Sequence, residues 1–94
     1  PLEWAGAAII LAGSLIATAS ETVEVKAVPV SAVIDTTGAG DQYAAGFLFA
    51  HARERSLAEC GAMASLAAAE VISHIGPRPE KNLRALALES GLRV

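Results

Sequence analysis

The stretch Ala32-Val33-Ile34-Asp35-Thr36-Thr37-Gly38-Ala39-Gly40-Asp41 decides the reading of this 94-residue chain. It passes from a short apolar run into a glycine turn and then into the very apolar residues 43–52, so it reads as a strand's end, a turn and a helix's first turn. Gly38 and Gly40 lack the Cβ atoms that would keep a ligand off the backbone, and they permit the positive-φ geometry that aims successive N–H groups into one concavity. A helix starting near Gly40 adds its unpaired N–H groups and the positive end of its dipole at the same point. The expected guest is an anion, either a phosphate or an oxyanion that develops during reaction. Asp41 has no attraction for phosphate. A carboxylate at the mouth of such a site therefore calls for a second task, most simply accepting a proton from a hydroxyl that attacks the phosphorus.

Other readings fit these residues less well. A Walker P-loop needs a lysine after its glycines, and none stands near Gly38 or Gly40. A dinucleotide-binding fingerprint needs a third glycine where Tyr43 stands. Asp35-Thr36-Thr37-Gly38 shares its start with the aspartyl-phosphate loops of haloacid-dehalogenase-like phosphatases and P-type pumps, but neither a second Asp two residues on nor a Lys-Thr-Gly-Thr run is present. A plain strand-to-helix turn, with Asp35 and the threonines bonded to local backbone, stays open beside the phosphate-site reading.

Continued by Gln42-Tyr43-Ala44-Ala45-Gly46-Phe47, the motif resembles the C-terminal signature of the ribokinase-like carbohydrate kinases, the PfkB family, which includes adenosine kinases, fructokinases and ribokinases. The likeness runs from about Gly13, across the motif, and on through an Ala-rich segment to Gly76 and beyond. It implies an α/β fold, here the C-terminal part of a ribokinase-like α/β sandwich. It further implies ATP-dependent transfer of a phosphoryl group to a sugar or nucleoside hydroxyl. By the same resemblance Asp41 is the general base, the amides of Gly38, Ala39 and Gly40 form the anion hole, and ATP with Mg²⁺ are the cofactors. Ser65 falls where relatives place a polar residue near adenine; a helical Ser bonded to the carbonyl one turn back explains it equally well. Many relatives also hold K⁺ beside the anion hole, which would implicate Asp35, Thr37, Ile72 and Ile75. The family's Mg²⁺-associated Asn-x-x-Glu motif is absent, and Asn82-Leu83-Arg84-Ala85 does not supply it. Its N-terminal glycine motifs and most acceptor-binding residues would lie ahead of Pro1. The expectation is a C-terminal portion that is inactive alone, whose apolar faces self-associate into a homo-oligomer or dock on a separate N-terminal portion.

Composition agrees with that picture. At 94 residues the chain is read as a single piece with no internal boundary, small enough to have little stability to spare. An apolar fraction of 53% against 18% charged is high for so much surface, and suggests faces that other structure covers. The net charge of −3, with only seven scattered Lys and Arg, argues against a nucleic-acid binder. Cys60 is the single cysteine and sits in an apolar helical run, so it reads as a buried packing residue; with no disulfide possible, a cytoplasmic setting is expected. Residues 5–17 are apolar but fall short of the roughly 18 to 20 needed to span a bilayer, and no Lys or Arg precedes them. Buried β structure with a turn near Ala12-Gly13 is the better reading, with no membrane partner.

Periodicity supplies the rest. Leu15-Ile16-Ala17 reads as a short strand, Ala19-Ser20-Glu21 as a turn, and Val23, Val25 and Ala27 alternate with Thr22, Glu24 and Lys26 as a strand with one wet face. Pro29 makes residues 28–31 an edge or a connection, and residues 32–34 a third short strand. The helix after Asp41 is apolar nearly all round and is expected to be buried, with Gly46 tolerable if another backbone crosses there; His51 near its end is not a base. Ser56-Leu57-Ala58-Glu59 has capping-box spacing, so a second helix starts at about Leu57 and runs to Ser73 or His74, stopped by Gly76-Pro77. Leu83, Leu86 and Ala87 against Lys81, Arg84 and Glu89 give a third helix closed by Gly91.

Overall fold

The computed structural model describes residues 14–17 and 20–94. Two strands, β1 (Ser14–Ala17) and β2 (Thr22–Val25), precede three helices, α1 (Ala39–Ala52), α2 (Leu57–Ile72) and α3 (Leu83–Glu89). The two strands form an antiparallel hairpin in the register Ser14↔Val25 to Ala17↔Thr22. Val25 is buried and Val23 half-buried while Thr22 and Glu24 are exposed, which is the one-faced alternation that the sequence carries. The expected β structure and turn near Ala12-Gly13 lie outside the described residues, as does part of the turn at 19–21.

Two expectations are corrected. Residues 32–34 form no strand: among the described residues no neighbour runs beside them, and Val33 and Ile34 are 41% and 55% exposed. A strand is defined by its ladder, and an extended run without a partner is only a connection. Helix α1 is not buried all round either, since only Ala39, Gly46 and Ala50 are enclosed and Leu48 is 62% exposed. The enclosed helix is α2, where every residue from Cys60 to Ile72 except Ala62 is buried.

Small residues explain why α2 can be central. A Cβ at Gly46 would stand 2.8 Å from the Met63 carbonyl oxygen and 2.9 Å from the Ala64 Cα, so α1 crosses α2 backbone to backbone. On another side, a Cβ at Gly61 would collide with Ile16 and Val25, and here the hairpin rests on α2. Two apolar clusters result. One joins Ala39 to Ala68, Val71 and Ile72; the other joins Ala50 to Cys60, Met63, Leu66 and Ala87 of α3. Val71 and Ile72 are fully buried, each contributing about 1.5–3 kcal/mol relative to exposure. Burial pushes the Cys60 thiol pKa up, as befits a packing residue.

The helix ends follow their sequence signals. Ser56 accepts from the Glu59 amide while the Glu59 carboxylate accepts from the Ser56 amide, so the capping box is complete. Asn82 caps α3 by accepting from the Ala85 amide at 3.1 Å. Helix α2 ends at Ile72, and residues 73–82 form a connection whose Gly76 takes φ +96°.

Candidate active site

The site forms where the chain runs from Ile34 into α1. The Ile34 and Asp35 amides both donate to the Ile72 carbonyl, at 2.8 and 3.3 Å, which ties the approach to the end of α2. Asp35 then closes the corner. Its Oδ1 accepts from the Thr37 amide (2.9 Å) and hydroxyl (2.7 Å), and its Oδ2 accepts from the Gly76 amide (2.9 Å). The Gly76 amide first, then the Thr37 hydroxyl and amide, hold the Asp35 pKa down at about 2 from an ordinary 3.8.

Gly38 is the N-cap of α1 at φ +78°, a left-handed conformation that glycine adopts without strain. A Cβ there would meet Pro77 Cβ at 2.7 Å, so the Gly76-Pro77 turn lies directly on the glycine turn. Gln42 adds a long contact, Nε2 donating to the Pro77 carbonyl at 3.4 Å. Gly40 faces the other way, with nothing within 4 Å of where its Cβ would be. The helix start is thus roofed at Gly38 and open at Gly40. No side chain caps it. Asp41 stands exposed in this first turn, a position where the helix dipole favours a carboxylate.

One of the three amides expected to face an anion is engaged within the turn. The Ala39 amide donates to the Thr36 carbonyl at 3.1 Å, because the turn itself needs that bond. Among the described residues the amides of Gly40 and Asp41 have no such acceptor, and the space around a Cβ at Gly40 is open. Uncommitted N–H groups beside open space fit a phosphate.

The remaining sequence candidates divide. Asp35, Thr37 and Ile72 do come together, with Ile75 next to Gly76. Several of their oxygens already have partners: the Ile72 carbonyl takes two amides, Asp35 takes three donors, and the Ile75 carbonyl lies 3.1 Å from His74 Nδ1. A carbonyl with both lone pairs occupied has none for a cation. In this geometry the cluster is a clasp closed by the protein's own donors, with the Ile72 carbonyl filled and acceptor capacity left on Asp35, Thr37 and Ile75. Among the described residues no group of three or more His, Cys, Asp or Glu could hold a metal ion. Ser65 is buried within α2 and lines neither the cavity of about 430 Å³ beside Glu70 and His74 nor that of about 250 Å³ beside Gln42 and Gly46. His51 is exposed and stacks on Phe47.

Pro77, Gln42 and Glu70 were not singled out by sequence reasoning. Gly76-Pro77 reads as a helix stop and nothing more, since its landing on Gly38, 39 positions back, is tertiary. Glu70 alone had a signal, as a lone charge in the apolar run Ala67-Ala68-Ala69-Glu70-Val71-Ile72.

Comparison with known proteins is consistent with this geometry. An adenosine kinase structure from Sinorhizobium meliloti superposes with a TM-score of 0.81 at 48% identity, over 85% of this chain and 24% of that one. A probable sugar kinase structure from Rhizobium etli CFN 42 superposes with a TM-score of 0.85 at 43% identity, over 88% of this chain and 25% of that one. A nucleoside kinase of Methanocaldococcus jannaschii is 39% identical over 64 residues, 68% of this chain and 21% of that protein. The chain therefore spans about a fifth to a quarter of the length of the relatives it matches. No helix among the described residues is long and apolar enough to cross a membrane. The profile described as "pfkB family carbohydrate kinase" matches residues 12–83, three quarters of the sequence and all of the site just described, so this chain belongs to the pfkB family of carbohydrate kinases.

Proposed function

We propose that this chain forms the phosphate-facing side of the active site of an ATP-dependent kinase that phosphorylates a sugar or nucleoside hydroxyl. The observation that carries the reading is Asp41, an exposed carboxylate in the first turn of a helix whose Gly40 and Asp41 amides are uncommitted. Asp41 takes the proton of the acceptor hydroxyl as its oxygen attacks the γ-phosphorus. One P–O bond forms, the bond to the leaving ADP breaks, and the proton rests on the Asp41 carboxylate. The Gly40 and Asp41 amides, with that of Gly38, stabilise the charge on the phosphoryl oxygens in flight. ATP with its Mg²⁺ would supply the phosphoryl group and much of the neutralising charge. The similar proteins include an adenosine kinase and a probable sugar kinase, which supports an acceptor in one of those two classes.

The test is Asp41→Asn in the protein carrying this chain, assayed with nucleoside and sugar acceptors. Loss of a general base lowers kcat at least ~10²-fold, with a smaller change in KM for ATP. Turnover near the wild-type rate would refute the assignment. A second reading, a non-catalytic piece that self-associates or docks on a separate N-terminal portion, draws on the exposed Val33, Ile34 and Leu48. It predicts no phosphorylation of any such acceptor, by the wild-type protein or the variant.

A further inference from the structure

Glu70 is out of place by every local rule. It lies in the last turn of α2, where the negative end of the helix dipole opposes a carboxylate, and its side chain is only 4% exposed. Its surroundings answer both objections. Oε1 lies 2.9 Å from His74 Nε2, one turn on, which is in range to donate to it. Oε2 accepts from two backbone amides far along the chain, those of Glu80 at 3.3 Å and Lys81 at 3.2 Å. A buried carboxylate is thus the anchor of a connection that has no helix or strand of its own.

That connection is the roof of the glycine turn. It is fastened at one point by the Gly76 amide on Asp35 and by Pro77 against Gly38, and at the other by Glu80 and Lys81 on Glu70. Between the two fastenings lie only Arg78 and Pro79, both exposed. Pro77 also accepts from Gln42 in the first turns of α1. A shift at residues 80–81 is carried through these two residues onto Gly38, the residue that sets where the amides of Gly40 and Asp41 point.

Resting on the kinase reading above, we propose that Glu70 is a positioning residue for phosphoryl transfer: it anchors residues 76–81 so that Pro77 holds the glycine turn in its anion-binding geometry. Glu70 touches no reacting atom. Its effect falls on the placement of the amides at the moment of transfer, and hence on kcat more than on ground-state binding.

The test compares Glu70→Leu with Glu70→Gln in the protein carrying this chain, with kinetics and amide hydrogen exchange measured together. Leu keeps the volume but loses every acceptor; Gln keeps an oxygen for the Glu80 and Lys81 amides and an NH₂ for a neutral His74. The expected result is a fall in kcat of about tenfold or more for Glu70→Leu with KM for ATP changed less than about threefold, faster exchange at Gly76, and recovery of both in Glu70→Gln. Glu70→Leu with wild-type kcat, or with slowed turnover but unchanged Gly76 exchange, would overturn the proposal. Should Glu70→Leu not fold, wild-type exchange decides: Glu80 and Lys81 amides no better protected than that of Arg78 would also overturn it. A wild-type protein inactive on all sugars and nucleosides, yet with these amides protected, would fail the kinase reading while leaving the clasp demonstrated.

Discussion

Replacing Gly46 by Ala separates helix propensity from helix packing, because the two act in opposite directions at this position. In an ordinary solvated helix the change stabilises by about 1 kcal/mol. Here the new methyl would stand 2.8 Å from the Met63 carbonyl oxygen, 2.9 Å from the Ala64 Cα and 3.1 Å from the Met63 carbonyl carbon. All three are backbone atoms of α2, so no side chain can swing aside. Restoring ordinary contact near 3.4 Å requires the helices to part by about 0.6 Å. A gap of ~0.5–1 Å forfeits a quarter to a half of each dispersion contact across it, and overpacking of this kind costs ~1–3 kcal/mol in all. The strain offsets or exceeds the propensity gain, leaving a net destabilisation of up to about 2 kcal/mol. For a domain of this size that corresponds to a fall in Tm of roughly 4–8 °C per kcal/mol. Urea unfolding would read it as a lower midpoint at unchanged slope. The exposed Ala44→Gly is the control, since it loses propensity alone, about 1 kcal/mol. A Gly46→Ala protein more stable than wild type by about 1 kcal/mol would refute the close crossing of α1 and α2.

Gly38→Ala should destabilise by ~1–2 kcal/mol through its left-handed φ alone, and lower kcat as Pro77 is displaced, whereas Gly40→Ala, with open space around it, should keep stability and alter only ligand affinity; equal stability of the two variants would contradict the roofed turn. Arg93 donates to both Glu59 oxygens and holds that carboxyl at about 2 rather than 4.5, so its stabilisation is complete above pH 4.5 and is lost as pH falls toward 2. Arg93→Ala should flatten the acid limb of stability in that window without removing the share of Asp35, which acts between 3.8 and about 2; an unchanged limb would show the pair to be silent. The exposed Val33, Ile34 and Leu48 predict that the 94-residue chain associates with itself as concentration rises, and a monomer at every concentration in sedimentation would count against this.

Much of the secondary structure was legible because its signals are local. Ser56 and Glu59 are three residues apart and meet in one helical turn, so the capping box could be read before any coordinates. The same holds for the alternation in β2 and for Gly91 after α3. The third strand was misread for the complementary reason. Ala32-Val33-Ile34 has strand composition, but a ladder needs a neighbour, and composition says nothing about whether one is there. Burial of α1 failed likewise, since an apolar face is covered only if something packs on it, and in this chain the helix with neighbours on several sides is α2.

The site divides along the same line. The sequence by itself determined the kind of chemistry, because two glycines, a helix start and a carboxylate within Gly38-Ala39-Gly40-Asp41 are contiguous and their backbone consequences are local. Only the tertiary structure decided what holds the glycine turn in place. The Ile34 and Asp35 amides are tied to the Ile72 carbonyl, Asp35 takes the Gly76 amide, and Pro77 lies on Gly38. Those contacts join residues about 35 to 41 positions apart, through a connection with no periodicity to read. Hydrogen-bond partners at that separation are chosen by packing of α1 on α2, and packing is a property of the folded chain rather than of any window along it.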